Sequence, residues 1–89
     1  MSETHAAINV QLFAKFREVA GCDQLQVVLP NGLPCTADQV LQQLAAQLPE
    51  MAALIPQCRL AIDDAYVAAD HVIDDLNAQF AVIPPVSGG

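Results

Sequence analysis

The chain has 89 residues, enough for one domain with one core but too few to enclose a deep private active site. Ten acidic side chains against three basic ones give a net charge of −7, which excludes nucleic acid and anionic membrane surfaces as partners and favours a basic protein. Hydrophobic residues make up 54% of the sequence, yet no run approaches the ~18 apolar residues of a membrane span, so surplus apolar surface is expected to meet a partner.

Residues 1–5 carry no basic segment followed by an apolar one, so no export signal is read and a cytoplasmic location is expected. They are expected to be a flexible lead-in. Over residues 6–14, Ile8, Val10, Leu12 and Ala14 alternate with polar positions, the pattern of a half-buried strand. Phe13 interrupts the polar face and either covers a second small layer or offers partner surface. Phe16, Val19 and Ala20 then have helical spacing, and Gly21 is a natural stop. Gln24 to Leu29 alternates again and ends at Pro30-Asn31-Gly32, so the first two strands are expected to form a hairpin with an elaborated connection.

Thr36-Ala37-Asp38-Gln39 predicts a capping box, with Cys35 and Val40 placed as a hydrophobic staple across it. Val40, Leu41, Leu44, Ala45 and Leu48 form one apolar helical face, with Gln42, Gln43 and Gln47 opposite. A short second turn is expected over residues 50–55, closed by Pro56. Arg59–Ile62 and Ala65–Val67 read as short strands around an Asp63-Asp64 turn. Asp70-His71 and Asp74-Asp75-Leu76-Asn77 read as polar connections before a last strand over residues 79–83.

That last strand is apolar on both faces, which places it inside a sheet beside the first strand. The expected fold is therefore α+β: a mixed sheet with one main helix packed across it and the first and last strands central, the β-grasp or ubiquitin-like arrangement. The domain is expected over residues 6–83, followed by an extended diglycine tail over residues 84–89.

Pro84 and Pro85 lack backbone donors and have fixed φ, so they take the chain out of the sheet as a stiff strut. Val86 and Ser87 lead to Gly88 and Gly89, a slim tip ending in a carboxylate. Such a tip can thread a narrow channel where side chains would clash. The carboxylate is ionised at neutral pH and a poor electrophile, so another protein must activate it, for instance as an acyl-adenylate made from ATP. The plain alternative is a frayed end or a non-native scar.

Nothing else in the sequence offers chemistry. His5 and His71 lack a nucleophile to serve, and the pairs Asp63-Asp64 and Asp74-Asp75 read as solvated turns. Cys22, Cys35 and Cys58 are widely spaced, with no zinc pattern, and read as small buried hydrophobes. No phosphate or dinucleotide glycine motif is present. No bound metal or cofactor is expected.

Two stretches carry a family likeness. Leu12-Phe13-Ala14-x-x-Arg17-Glu18-x-x-Gly21 near the start, and Ile83-Pro84-Pro85-Val86-Ser87-Gly88-Gly89 at the end, closely resemble the small subunit of molybdopterin synthase, in the MoaD/ThiS-like family. The resemblance implies a sulfur carrier whose last residue, here Gly89, is adenylylated by an E1-like, ATP-dependent adenylyltransferase and then thiocarboxylated by a sulfur donor system. It implies that Gly88 lets the tail thread its partner. It further implies insertion of Pro84, Pro85, Val86 and Ser87 into a large synthase subunit, in a heterotetramer of two carriers and two large subunits, with sulfur passing to cyclic pyranopterin monophosphate. The family's partner-facing hydrophobic patch corresponds to Phe13, Tyr66 and Ile83. Alone, such a subunit is non-catalytic; the sulfurtransferase is the complex. The sequence departs from the family's habit in having aliphatic Val82-Ile83 where a second aromatic is frequent, and Asp63 where Asn is frequent. A sulfur carrier for another pathway such as thiamine thiazole synthesis, a ubiquitin-like protein modifier, and a binding module with an inert tail stay open as alternatives.

Overall fold

The computed structural model describes residues 6–85, so the expectations for residues 1–5 and for Val86, Ser87, Gly88 and Gly89 lie outside the described residues. Strand β1 (Ala6–Gln11) pairs antiparallel with β2 (Gln24–Leu29), from Ala6↔Leu29 to Gln11↔Gln24. The alternation holds: Ile8, Val10, Val27 and Leu29 are buried, while Asn9, Gln26 and Val28 are exposed.

Helix α1 (Ala14–Ala20) fills the connection, and Gly21 ends it in the left-handed region at φ 75°, its N–H donating to the Arg17 carbonyl. The strand stops three residues before the alternation does. Leu12 is still buried, and its N–H donates to the Asp23 carbonyl at 2.7 Å. Ala14, expected to face the core, is instead exposed with φ 52°. The chain must turn from strand to helix within Phe13 and Ala14, and the positive φ accomplishes this at a cost of about 1–2 kcal/mol. The same turn leaves Phe13 outside and brings Phe16 fully inside.

Strand β3 (Cys35–Thr36) leads into α2 (Ala37–Gln47). Both bonds of the capping box are present: Gln39 N–H donates to Thr36 Oγ1 at 3.2 Å, and Thr36 N–H to Gln39 Oε1 at 2.8 Å. The next two orphan donors of the helix also find acceptors, Ala37 N–H on the His71 carbonyl and Asp38 N–H on the Ala69 carbonyl. Val40, Leu41 and Leu44 are buried as the periodicity predicts. Two 3₁₀ turns follow, at Pro49–Met51 and Ile55–Gln57. Pro56 therefore does not close a single turn over residues 50–55 but sits in the first turn of a second one, where a missing N–H costs nothing.

Strands β4 (Arg59–Ile62) and β5 (Ala65–Val67) form a hairpin whose two central residues, Asp63 and Asp64, both have positive φ. That backbone twist suits paired strands, and aspartate tolerates it. Strand β6 (Val72–Ile73) pairs with β3 in a separate two-stranded sheet that pins the start of α2. The polar-connection reading missed it. Strand β7 (Phe80–Ile83) closes the main sheet, in the order β2-β1-β7-β4-β5.

The last strand is thus central and parallel to the first, with Val10 opposite Phe80, and antiparallel to β4. Phe80 and Val82 face the core; Ala81 and Ile83 face away. This is the expected β-grasp. The largest side chains fully shielded between sheet and helices are Phe16, Leu12, Leu44, Leu60, Val10, Val27, Val40 and Val82. Each contributes about 1.5–3 kcal/mol of hydrophobic stabilisation relative to exposure. No helix among the described residues is long and apolar enough to cross a membrane.

Candidate functional site

The strand registers place one row of residues across all five strands of the main sheet. Gln24 lies opposite Gln11, Gln11 opposite Ala81, Ala81 opposite Ala61, and Ala61 opposite Tyr66. Side chains in one such row share a face, and this is the face turned away from α2. Ala81 and Ala61 are its two central members. Because both are small, they make a floor rather than a ridge.

The walls come from the residues singled out in the sequence. Phe13 is 38% exposed and Tyr66 62%, while Ile83 is half-buried. All three line one open depression of about 240 Å³ over Ala61 and Ala81, with Gln11, Asp64 and Gln79 at its margin. Three elements therefore converge: the β1–α1 turn supplies Phe13, β5 supplies Tyr66, and β7 supplies Ile83. Phe13 is thus exposed at the wall of this depression.

The hairpin turn beside this depression is held by Asp63. Its N–H donates to the Gln79 carbonyl, and its Oδ1 accepts the Gln79 N–H, both at 2.9 Å. This continues the β4–β7 pairing one step beyond Ile62↔Phe80. Asp63 is thus a structural carboxylate. Asp75 Oδ1 likewise accepts the Asn77 N–H within its own loop. Among the described residues no group of three His, Cys, Asp or Glu side chains could hold a metal ion.

The depression continues toward the tail. Tyr66 and Ile83 also border a second hollow of about 160 Å³, whose other walls are Gln57, Arg59, Pro84 and Pro85. Pro84 and Pro85 therefore leave β7 directly beside the apolar patch. Arg59 lies opposite Ile83 in the β4–β7 ladder, and its guanidinium carbon sits 5.8 Å from the centre of the Tyr66 ring, a cation–π stack. Sequence reasoning assigned no role to Arg59, Ala61 or Ala81. Only the strand register, which single-sequence patterning leaves undetermined, brings them to this face.

The cysteines divide. Cys35 and Cys58 are buried as expected, and burial pushes both thiols above their ordinary range. Cys22 is exposed, against expectation, because it follows Gly21 in the turn outside the core; its Sγ contacts the Gln24 carbonyl at 3.0 Å. None of the three borders the depression. A larger hollow of about 440 Å³ between the start of α2 and β4–β5 is lined by none of the predicted site residues.

The ThiS family model matches residues 10–89. The molybdopterin synthase sulfur carrier subunit of Dictyostelium discoideum is 33% identical over 82 residues, covering 91% of this chain and 94% of the relative. That of Arabidopsis thaliana is also 33% identical over 82 residues, covering 92% and 82%. Among solved structures, the HVO 2177 protein of Haloferax volcanii superimposes with a TM-score of 0.79 at 21% identity, over 100% of this chain and 92% of the other. The chain therefore belongs to the ThiS family, among the molybdopterin synthase sulfur carrier subunits.

Proposed function

We propose that the chain carries sulfur for molybdopterin synthesis on its terminal glycine. An E1-like enzyme joins the Gly89 carboxylate to the α-phosphate of ATP, releasing pyrophosphate. Sulfur delivered at the sulfide level then attacks the acyl carbon, the bond to AMP breaks, and a thiocarboxylate is left. The tail enters the large subunit of molybdopterin synthase, where the thiocarboxylate sulfur attacks the pterin precursor. Hydrolysis returns the carboxylate for another cycle. Two carriers flank a dimer of large subunits, and two transfers complete the dithiolene.

One observation carries this reading. Phe13, Tyr66 and Ile83 border a single depression beside the point where Pro84 and Pro85 leave the central strand. A partner gripping that face receives the tail at a set position, and aromatic and aliphatic anchors of this type dominate interface energies. Ile83, the residue before the tail, is still held in the β4–β7 ladder opposite Arg59, which fixes the root of the tail. Val86, Ser87 and Gly88 act as the thread and Gly89 as the attachment point. The domain is the handle, and the catalytic side chains belong to its partners. The name shared by the curated relatives favours molybdopterin over thiazole synthesis.

The test is intact mass spectrometry of the chain after incubation with its activating enzyme, ATP and a sulfur donor. The expected product gains the mass difference between sulfur and oxygen, localised to Gly89. A chain that stays a plain carboxylate under these conditions refutes the proposal.

A further inference from the structure

Arg59 is the only basic residue of the main sheet. The chain's other two Lys or Arg residues, Lys15 and Arg17, lie on α1, and the sequence sets ten acidic residues against these three. Arg59 stands at the root of the tail, opposite Ile83, and lines the hollow that Pro84 and Pro85 border. Its guanidinium lies over the Tyr66 ring at 5.8 Å. A guanidinium held over a ring face in this way loses less freedom on binding than a free side chain does.

We propose that Arg59, oriented by Tyr66, is a specificity-determining residue that takes an aspartate or glutamate carboxylate of the protein receiving the tail. This inference rests on the carrier reading above. Overall the chain is strongly acidic, so it is steered toward basic surface. A single arginine at the tail root adds a local mark of opposite sign, and a matching acid opposite it sets register and rejects basic surfaces that lack one. The flat fork of arginine suits two-point contact with a carboxylate.

The phosphates of ATP present a similar anionic target, but distance argues against them. Gly89 is six residues beyond Ile83, about 20 Å of extended chain. With the tail threaded, the reacting carboxylate and any nucleotide on it lie far past a side chain rooted opposite Ile83. Arg59 therefore reads the mouth of the partner's channel and not its chemistry. Tyr66 has two tasks: it walls the apolar depression with one side and supports Arg59 with its ring face.

The test is titration calorimetry of the carrier against the molybdopterin synthase large subunit of the same organism, in low salt and in about 1 M salt. Arg59→Gln is expected to raise Kd about tenfold in low salt and Arg59→Glu further, with Arg59→Lys between wild type and Gln. The difference between wild type and Arg59→Gln should shrink in high salt, where the Debye length falls to about 3 Å. Tyr66→Leu keeps an apolar wall but removes the stack, so its effect and that of Arg59→Gln should be less than additive. Thermal unfolding of each variant checks the fold, and Arg59→Gln decides if Arg59→Glu does not fold.

Wild-type binding with Arg59→Gln and Arg59→Glu within about twofold of it overturns the inference and leaves the carrier reading standing. Equal losses in low and high salt also overturn it, since they indicate lost packing and not lost charge. A wild-type chain that binds no large subunit overturns the carrier reading and the inference together.

Discussion

Gln47 was expected on the solvent face of α2, opposite the core. The structure uses it to seal the edge of the main sheet. Its Oε1 accepts the Val28 N–H at 3.1 Å, and its Nε2 donates to the Gln26 carbonyl at 2.9 Å. These are the outward-facing groups of β2, the outermost strand, and the side-chain amide pairs with them as a neighbouring strand's peptide would. Gln47→Ala removes both bonds. Each is exposed, so each contributes near the low end of about 0.5–1.5 kcal/mol. Alanine recovers a few tenths through helix propensity. The expected net loss is about 1 kcal/mol, or a fall in Tm of about 4–8 °C for a domain of this size.

Gln47→Glu is the sharper variant. It keeps the acceptor for Val28 but sets a carboxylate oxygen against the Gln26 carbonyl, and it adds a negative charge at a helix C-terminus. It should be no more stable than Gln47→Ala. Urea unfolding measures both, with an unchanged m-value as the check on two-state behaviour. Amide exchange supplies the local readout, since the Val28 N–H should lose protection in both variants. Gln47→Ala as stable as wild type, with Val28 still protected, would show that the latch contributes nothing.

Ile83→Asp should weaken binding of the large subunit at least about tenfold in titration calorimetry while unfolding much as wild type does, because Ile83 faces away from the core. Adding one residue after Gly89 should abolish sulfur loading in the mass assay with the melting temperature unchanged, since the reacting carboxylate becomes an amide; Gly88→Val should impair loading by bulk alone. Gly21→Ala should cost about 1–2 kcal/mol in urea unfolding, and the cost is purely conformational: φ is 75° and nothing lies within 4 Å of the added methyl. Thiol alkylation of the folded chain should label Cys22 first, with Cys35 and Cys58 reacting only on unfolding. The raised thiols also carry a pH signature. Their folded forms hold protons that the unfolded chain releases, so stability should decline as pH climbs above the ordinary thiol value of 9.0.

Much of the fold was legible because it is written in short-range periodicities. Period two marked β1 and β2; period 3.6 marked α2, and a capping box marked its start to the residue. The apolar character of residues 80–83 on both faces was enough to place β7 inside the sheet. Elements of two residues have no period, and so β3 and β6 were invisible. Just before β6, the Ala69 and His71 carbonyls accept from donors at the start of α2 that the capping box alone does not reach. Ala14 was misplaced because alternation says nothing about where a strand stops.

The sequence by itself determined the β-grasp plan and the core faces of its main elements, because composition and alternation are local properties. Tertiary structure decided which of these features meet. Phe13, Tyr66 and Ile83 are up to 70 residues apart in the chain, and only the β1–β7–β4–β5 register joins them over Ala61 and Ala81. Arg59 acquired its place in the same way, from one Cα pairing with Ile83. Register is set by the whole sheet closing against one core, so no local window contains it.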